Sequence, residues 1–207
     1  MYGLEYDLDL YNIVAVDDFN MGAMEKRASM CSTPLACSPI PISPRNGFSA
    51  RRGGRGPRIL SQLLGNRVTC RDWFQLSLKE GFTVFRDSEF SADMNSRGVK
   101  RVEDALFLRT HQFAEDAGPL AHPVRPDAFV DISNFYTLTV YEKGAEVVRM
   151  LHTLLGAKAF HAGTTLYFER FDGQAVTCDD FVDCLAEASG RDLTQFRRWY
   201  EQRARPR

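Results

Sequence analysis

The groups through which this 207-residue sequence could do chemistry are four histidines, five cysteines and a set of carboxylates. His111, His122, His152 and His161 show neither HxxxH nor HxH spacing. By themselves they make no zinc site, which needs donors paired on one helix face or in one short loop. Cys31, Cys37, Cys70, Cys178 and Cys184 are odd in number and lack CxxC spacing, so they read as reduced thiols of a cytoplasmic protein. No GxSxG elbow or phosphate loop is present. Two residues stand out by context. Glu80 falls on one helical face with Trp73 and Leu76, an odd place for a solvated carboxylate, and Tyr141 lies among apolar neighbours. On pattern alone the first reads as an amphipathic boundary residue and the second as a core tyrosine.

The elements that must position these residues are legible in part. The run "YDLDLYNIVAVDDF" alternates and then carries β-rich Ile13–Val16, which predicts one or two strands before Gly22. Order returns at "TCRDWFQLSLKEG", where Thr69 and Asp72 form a capping-box-like start and Gly81 is a candidate helix end. Val99, Val102, Leu106 and Phe113 recur at helical spacing up to Gly118-Pro119. Val147, Val148, Leu151, Leu154 and Leu155 do the same before Gly156. Thr177 with Asp180 caps a helix around Phe181, Cys184 and Leu185, and a last helix holds Leu193, Phe196, Trp199 and Tyr200. The fold class expected is α+β, mainly α, with short strands at the N-terminus followed by a helical array.

Composition divides the chain. Between Lys26 and Leu64 there are seven Lys/Arg, no Asp/Glu and five of the nine prolines; the other 168 residues carry 19 basic and 27 acidic side chains. That window has no usable period, and so long a structureless stretch is unusual inside a compact domain. The divisions expected are 1–25, strand-rich; 26–64, aberrant, Pro/Gly/Arg-rich and without regular structure; and 65–207, helical. "ARRGGRGPR" resembles an RNA-binding arm, but it is one cluster without interleaved aromatics, so no nucleic-acid partner is expected. No apolar run of about 18 residues predicts a membrane span, and the N-terminus lacks the layout of a secretory signal.

Three ordered motifs carry a resemblance. "NMGAME" at Asn20–Glu25 is similar to the GAMEN exopeptidase motif of the M1 family of zinc aminopeptidases. "GNRVTCRDWFQLSLKEG" at Gly65–Gly81 resembles the family segment that delivers the third zinc ligand, and "NFYTLTVYEKGAEVVRM" at Asn134–Met150 the stretch with the catalytic tyrosine. The resemblance covers about four-fifths of the chain and points to the bacterial aminopeptidase N (alanyl aminopeptidase) branch. It implies part of a thermolysin-like (gluzincin) catalytic domain that removes N-terminal residues from peptides with zinc. It implies Glu80 as zinc ligand, Tyr141 as oxyanion donor and Glu25 as anchor of the α-ammonium. The backbone of Gly22 and Ala23 would line the substrate, with Met24 in the same motif and Met21 near the first side-chain pocket. The partners implied are peptide substrates and the missing remainder of the full-length aminopeptidase.

The chain departs from that family where zinc should sit. The second zinc histidine, nineteen positions before the glutamate, falls on Ser61; the first falls on Pro57 and the general base on Arg58. Lys26 replaces the final Asn of GAMEN. Codons exist for Pro57–Gln62 that, read one base later and completed by the first base of the Leu63 codon, spell His-Glu-Tyr-Phe-His-Asn. Codons for Lys26–Thr33 read from their third base spell Lys-Gly-Leu-Asn-Val-Phe-Asn. The window thus reads as family sequence in a shifted frame. As written, the chain is expected to bind no zinc and to be a catalytically dead remnant or a peptide-binding pseudoenzyme.

Overall fold

A computed structural model of the chain describes residue 10 and residues 12–17, 23–26, 29–32 and 67–203. Strands β1 (Asn12–Ala15), β2 (Ala23–Lys26) and β3 (Ser29–Ser32) form a sheet of order β1-β3-β2. β1 runs parallel to β3, and β2 antiparallel to it, with Ala23 opposite Ser32 and Glu25 opposite Met30. β3 lies inside the window that shows no apolar period. Strand pairing is made by backbone groups, and a four-residue partner to β2 needs no periodic side chains. Residues 27–28 and 33–64, the rest of that window, lie outside the described residues.

The helical part begins at a second, two-residue parallel pairing of β4 (Thr69–Cys70) with β5 (Ala175–Val176). Asp72 accepts from the Phe74 amide at 3.0 Å and caps a 3₁₀ turn at Trp73–Gln75, which leads into α1 (Leu76–Met94). The expected end at Gly81 is not an end. Gly81 is buried inside this 19-residue helix, for a reason that lies in the partner helix. Next come α2 (Arg97–Phe107), a π-helical turn at Leu108–Gln112 and α3 (Phe113–Ala117), stopped at Gly118 as expected. A 3₁₀ turn at Ile132–Phe135 and a π turn at Thr139–Lys143 precede α4 (Gly144–Leu155), which ends at Gly156 with φ +79°. α5 (Ala157–Phe171) has no counterpart among the sequence expectations. α6 (Cys178–Ser189) opens on the anticipated capping box, with Thr177 and Asp180 bonded in both directions. α7 (Arg198–Glu201) closes the array, so the expected last helix is a single turn after a 3₁₀ turn.

One apolar core joins these helices. Phe82 and Phe85 of α1, Leu151 of α4, Phe160 and Tyr167 of α5 and Phe181 of α6 are all nearly solvent-free. The Phe82 and Phe181 rings lie 5.1 Å apart. α5 and α6 approach closely because Gly163 has no Cβ, which would stand 2.9 Å from the Leu185 Cα. No helix among the described residues is long and apolar enough to cross a membrane.

Candidate active site

Glu80 sits in the second turn of α1 and Tyr141 in the π turn before α4, and the site is built where these two helices cross. Ser77 and Gly81, one turn apart on α1, face Val140 and Gly144. The Ser77 hydroxyl donates to the Val140 carbonyl at 3.0 Å. A Cβ on Gly81 would meet the Gly144 carbonyl carbon at 2.8 Å, and one on Gly144 would meet the Ser77 hydroxyl oxygen at 2.2 Å. Backbone therefore rests on backbone. The crossing brings together the helix faces next to Glu80 and Tyr141, both of which are half-buried.

The turn that carries Tyr141 is clamped from α3. The Glu115 carboxylate accepts from the Leu138 amide at 3.2 Å, the Thr139 amide at 2.7 Å and the Thr139 hydroxyl at 2.5 Å. Amides at a helix start have no partner within the helix, so a carboxylate there satisfies both their hydrogen bonds and their partial charge. Lys143 at the turn's other end is paired with Asp116 at 2.9 Å. The five-residue π turn itself is a distortion found often at functional positions. Glu115→Ala is expected to cost about 1–3 kcal/mol. The amides of Leu138 and Thr139 would then exchange hydrogen faster than those of α6, read by thermal melting with hydrogen-exchange mass spectrometry.

Aromatic side chains surround Tyr141. Its ring lies 6.4 Å from Tyr136, which in turn meets Trp73 edge-on at 6.2 Å. Trp73 stacks on the buried Phe135 at 6.3 Å, and Phe74 meets the same ring at 5.5 Å. A cleft of about 390 Å³ opens beside them, lined by Phe129, Asn134, Phe135, Tyr136 and Thr137 among others. The cleft is concave and lined in part by aromatic rings.

The remaining candidates fall as follows. Ala23, Met24 and Glu25 lie in β2, an edge strand among the described residues, and their backbone is paired on one side to β3. Met21, Gly22, Pro57, Arg58 and Ser61 lie outside the described residues. Among the described residues no group of three or more His, Cys, Asp or Glu is placed to hold a metal. The histidines sit apart in structural roles: His111 stacks on Phe107 at 4.5 Å, and His152 meets the Phe160 ring edge at 5.1 Å. Burial pushes the Cys70 thiol up to about 11 and raises Cys178 and Cys184 as well, so these thiols stay protonated. Sequence reasoning missed Glu115, Ser77 and Gly144. The spacing of Ser77 and Gly81, two small residues one turn apart, is a signal of close helix approach. Glu115 left no local signal, since its partners are 23 and 24 residues away.

Comparison with known proteins places this arrangement in context. The Peptidase family M1 domain matches residues 59–200. Aminopeptidase N of Escherichia coli (strain K12) is 55% identical over 206 residues, which cover 99% of this chain and 24% of that protein. Aminopeptidase N of Haemophilus influenzae is 53% identical with the same coverage. The crystal structure of Legionella pneumophila aminopeptidase A in complex with aspartic acid matches with a TM-score of 0.83 at 28% identity, over 98% of this chain and 23% of that one. The chain thus spans about a quarter of the length of the curated relatives it matches.

Proposed function

The chain belongs to peptidase family M1, and from this we infer that it is part of a metalloaminopeptidase catalytic domain that keeps substrate-binding residues but lacks the residues for hydrolysis. The observation that carries the reading is the crossing at Ser77, Gly81 and Gly144, which holds the Glu80 and Tyr141 segments against each other across 63 residues of sequence. Were zinc bound, Glu80 would be its third ligand, and the Tyr141 hydroxyl would donate a hydrogen bond to the charge developing on the scissile carbonyl oxygen. Glu25 pairs with the free α-ammonium of a peptide, which makes the enzyme count from the N-terminus. Among the described residues β2 is paired on one side only, to β3, and an extended substrate backbone suits the other side. By resemblance to the family, the backbone of Gly22 and Ala23 would line the substrate, with Met24 in the same motif and Met21 serving the first side-chain pocket. The substrate class is peptides with a free amine and a small or basic first residue, met in a reducing, cytoplasmic setting.

The zinc that the family implies does not fit the donors present. A proline side chain offers no lone pair and a serine hydroxyl is a poor ligand, so Pro57 and Ser61 leave Glu80 as one ligand of three, and Arg58, a fixed cation, stands where the base belongs. No hydrolytic step is assigned to the chain as written. The purified chain is expected to hold no stoichiometric zinc and to leave alanyl and leucyl chromogenic substrates uncleaved. Elemental analysis that finds about one zinc per chain, together with turnover, would overturn this reading.

A further inference from the structure

Helix α2 is fastened to its neighbours by polar groups. No residue of it is buried, and Val99, Val102 and Leu106 are each more than half exposed. The Ser88 hydroxyl of α1 donates to Asp104, Arg97 reaches Glu89 of α1 at 2.6 Å, and Arg101 reaches Glu146 of α4 at 2.6 and 2.8 Å. Between these helices lies a chamber of about 390 Å³. Asp87 lines it from α1, Lys100, Glu103 and Asp104 from α2, Glu142 from the π turn before α4, and Glu146 and Arg149 from α4. Five carboxyls thus share it with two cations, and both cations are engaged. Lys100 pairs with Asp104, and Arg149 donates to Glu89 at 2.7 Å, to Ser88 at 2.8 Å and to Glu146 at 3.2 Å. Among the described residues Asp87 and Glu142 are left without an ion pair, and the Asp87 Oδ1 atom is solvent-free with no hydrogen-bond partner.

We propose that this chamber is a proton-operated latch on α2: with Asp87 and Glu142 neutral the helix stays packed, and with both charged water enters and the helix loosens. A carboxylate without a partner is costly to keep out of water, so the packed form favours the bound proton. Burial pushes the Asp87 carboxyl up to about 7, against the pull of Lys100 and with Asp104 and Glu142 adding to it. Burial raises Glu142 as well, again with Asp104 adding and Lys100 opposing. A carboxyl raised in this way stabilises the packed form while protonated, and that stabilisation is lost as pH climbs from the ordinary carboxylate range through about 7. The element that yields is α2, since α1 and α4 are anchored by buried side chains and α2 by none. The latch needs neither zinc nor turnover, so it holds or fails separately from the reading of the active site.

Hydrogen exchange tests it. Amide exchange of the purified chain is read by mass spectrometry at about pH 6 and about pH 8, and each rate is corrected for the chemical exchange rate at that pH. Peptides from α2 are expected to be about tenfold better protected at the lower pH, and peptides from α5 to change by less than about twofold. Asp87→Asn should hold α2 near its low-pH protection at both values, and Glu142→Gln should narrow the difference. Equal protection of α2 at the two pH values overturns the proposal. So does a change shared equally by α5, which means a general loosening, or a difference that survives Asp87→Asn, which places the titrating group elsewhere. A second measurement needs no substitution: carbon-13 NMR of the chain with labelled aspartate should show a carboxyl titrating near pH 7. A chain whose aspartates all titrate in the ordinary carboxylate range overturns the proposal whether or not the variants fold.

Discussion

Gly81→Ala is expected to destabilise the chain by about 2 kcal/mol, even though alanine is the better helix former by about 1 kcal/mol. The new Cβ would stand 2.8 Å from the carbonyl carbon and 3.0 Å from the Cα of Gly144. These are backbone atoms of a helix packed on both sides, so no rotamer change relieves the contact and the helices must separate. Gly98→Ala is the internal control, because nothing lies within 4 Å of a Cβ added there. It is expected to be neutral or to stabilise by up to about 0.5–1 kcal/mol. For a protein of this size the two should move the melting temperature in opposite directions, Gly81→Ala downward by about 6 °C. Equal shifts would mean that the crossing is looser than described. Separation of the helices also moves Glu80 away from Tyr141, so the same substitution in an active relative should cost turnover beyond its loss of stability.

Exchange of residues 26–64 for the aligned segment of Escherichia coli aminopeptidase N is expected to restore stoichiometric zinc binding. On the proposed reading that segment brings two histidine ligands and the base back into register, with Glu80 on α1 as the third ligand. In the exchanged chain Glu80→Ala should weaken zinc by about a hundredfold or more, since even partners one shell further out cost 10–100-fold. Tyr141→Phe should leave the zinc content unchanged and lower kcat by about a hundredfold where the exchanged chain turns over, as loss of an oxyanion donor does. Zinc binding that ignores Glu80→Ala would remove that residue from the site. A well-folded exchanged chain without zinc would remove the explanation by frame.

Local chemistry was legible in the sequence, and contacts between distant residues were not. The box at Thr177 and Asp180 and the stops at Gly118 and Gly156 each depend on a few neighbouring residues, and they hold. Gly81 was misread because a glycine inside a helix and one at its end look alike until the residue 63 positions later is known. α5 escaped notice because Gly163 and Thr164 interrupt the apolar face, and Gly163 is there to admit Leu185. Val99, Val102 and Leu106 have the spacing of a buried face, and their exposure follows from ion pairs made on the opposite side. Glu80 and Tyr141 read as boundary and core residues by pattern. Only their place in the motif order singled them out; the crossing sets the segments that carry them against each other through Ser77, Gly81 and Gly144.

The union of β4 with β5 sets a limit on how short a working chain can be. Arg67 and Asp172 form a two-pronged ion pair at 2.7 and 2.9 Å, and they stand 105 positions apart. The Thr69 amide donates to Gln174 at 3.0 Å and the Arg71 amide to Val176 at 2.9 Å. The start of α1 is therefore fastened by residues that leave the ribosome long after Glu80 and Tyr141 have been made. A nonsense codon anywhere between Gly156 and Asp172 would yield a product with every candidate site residue present and the first turn of α1 untied. In this protein the last piece of the site to be synthesised is one that never touches substrate.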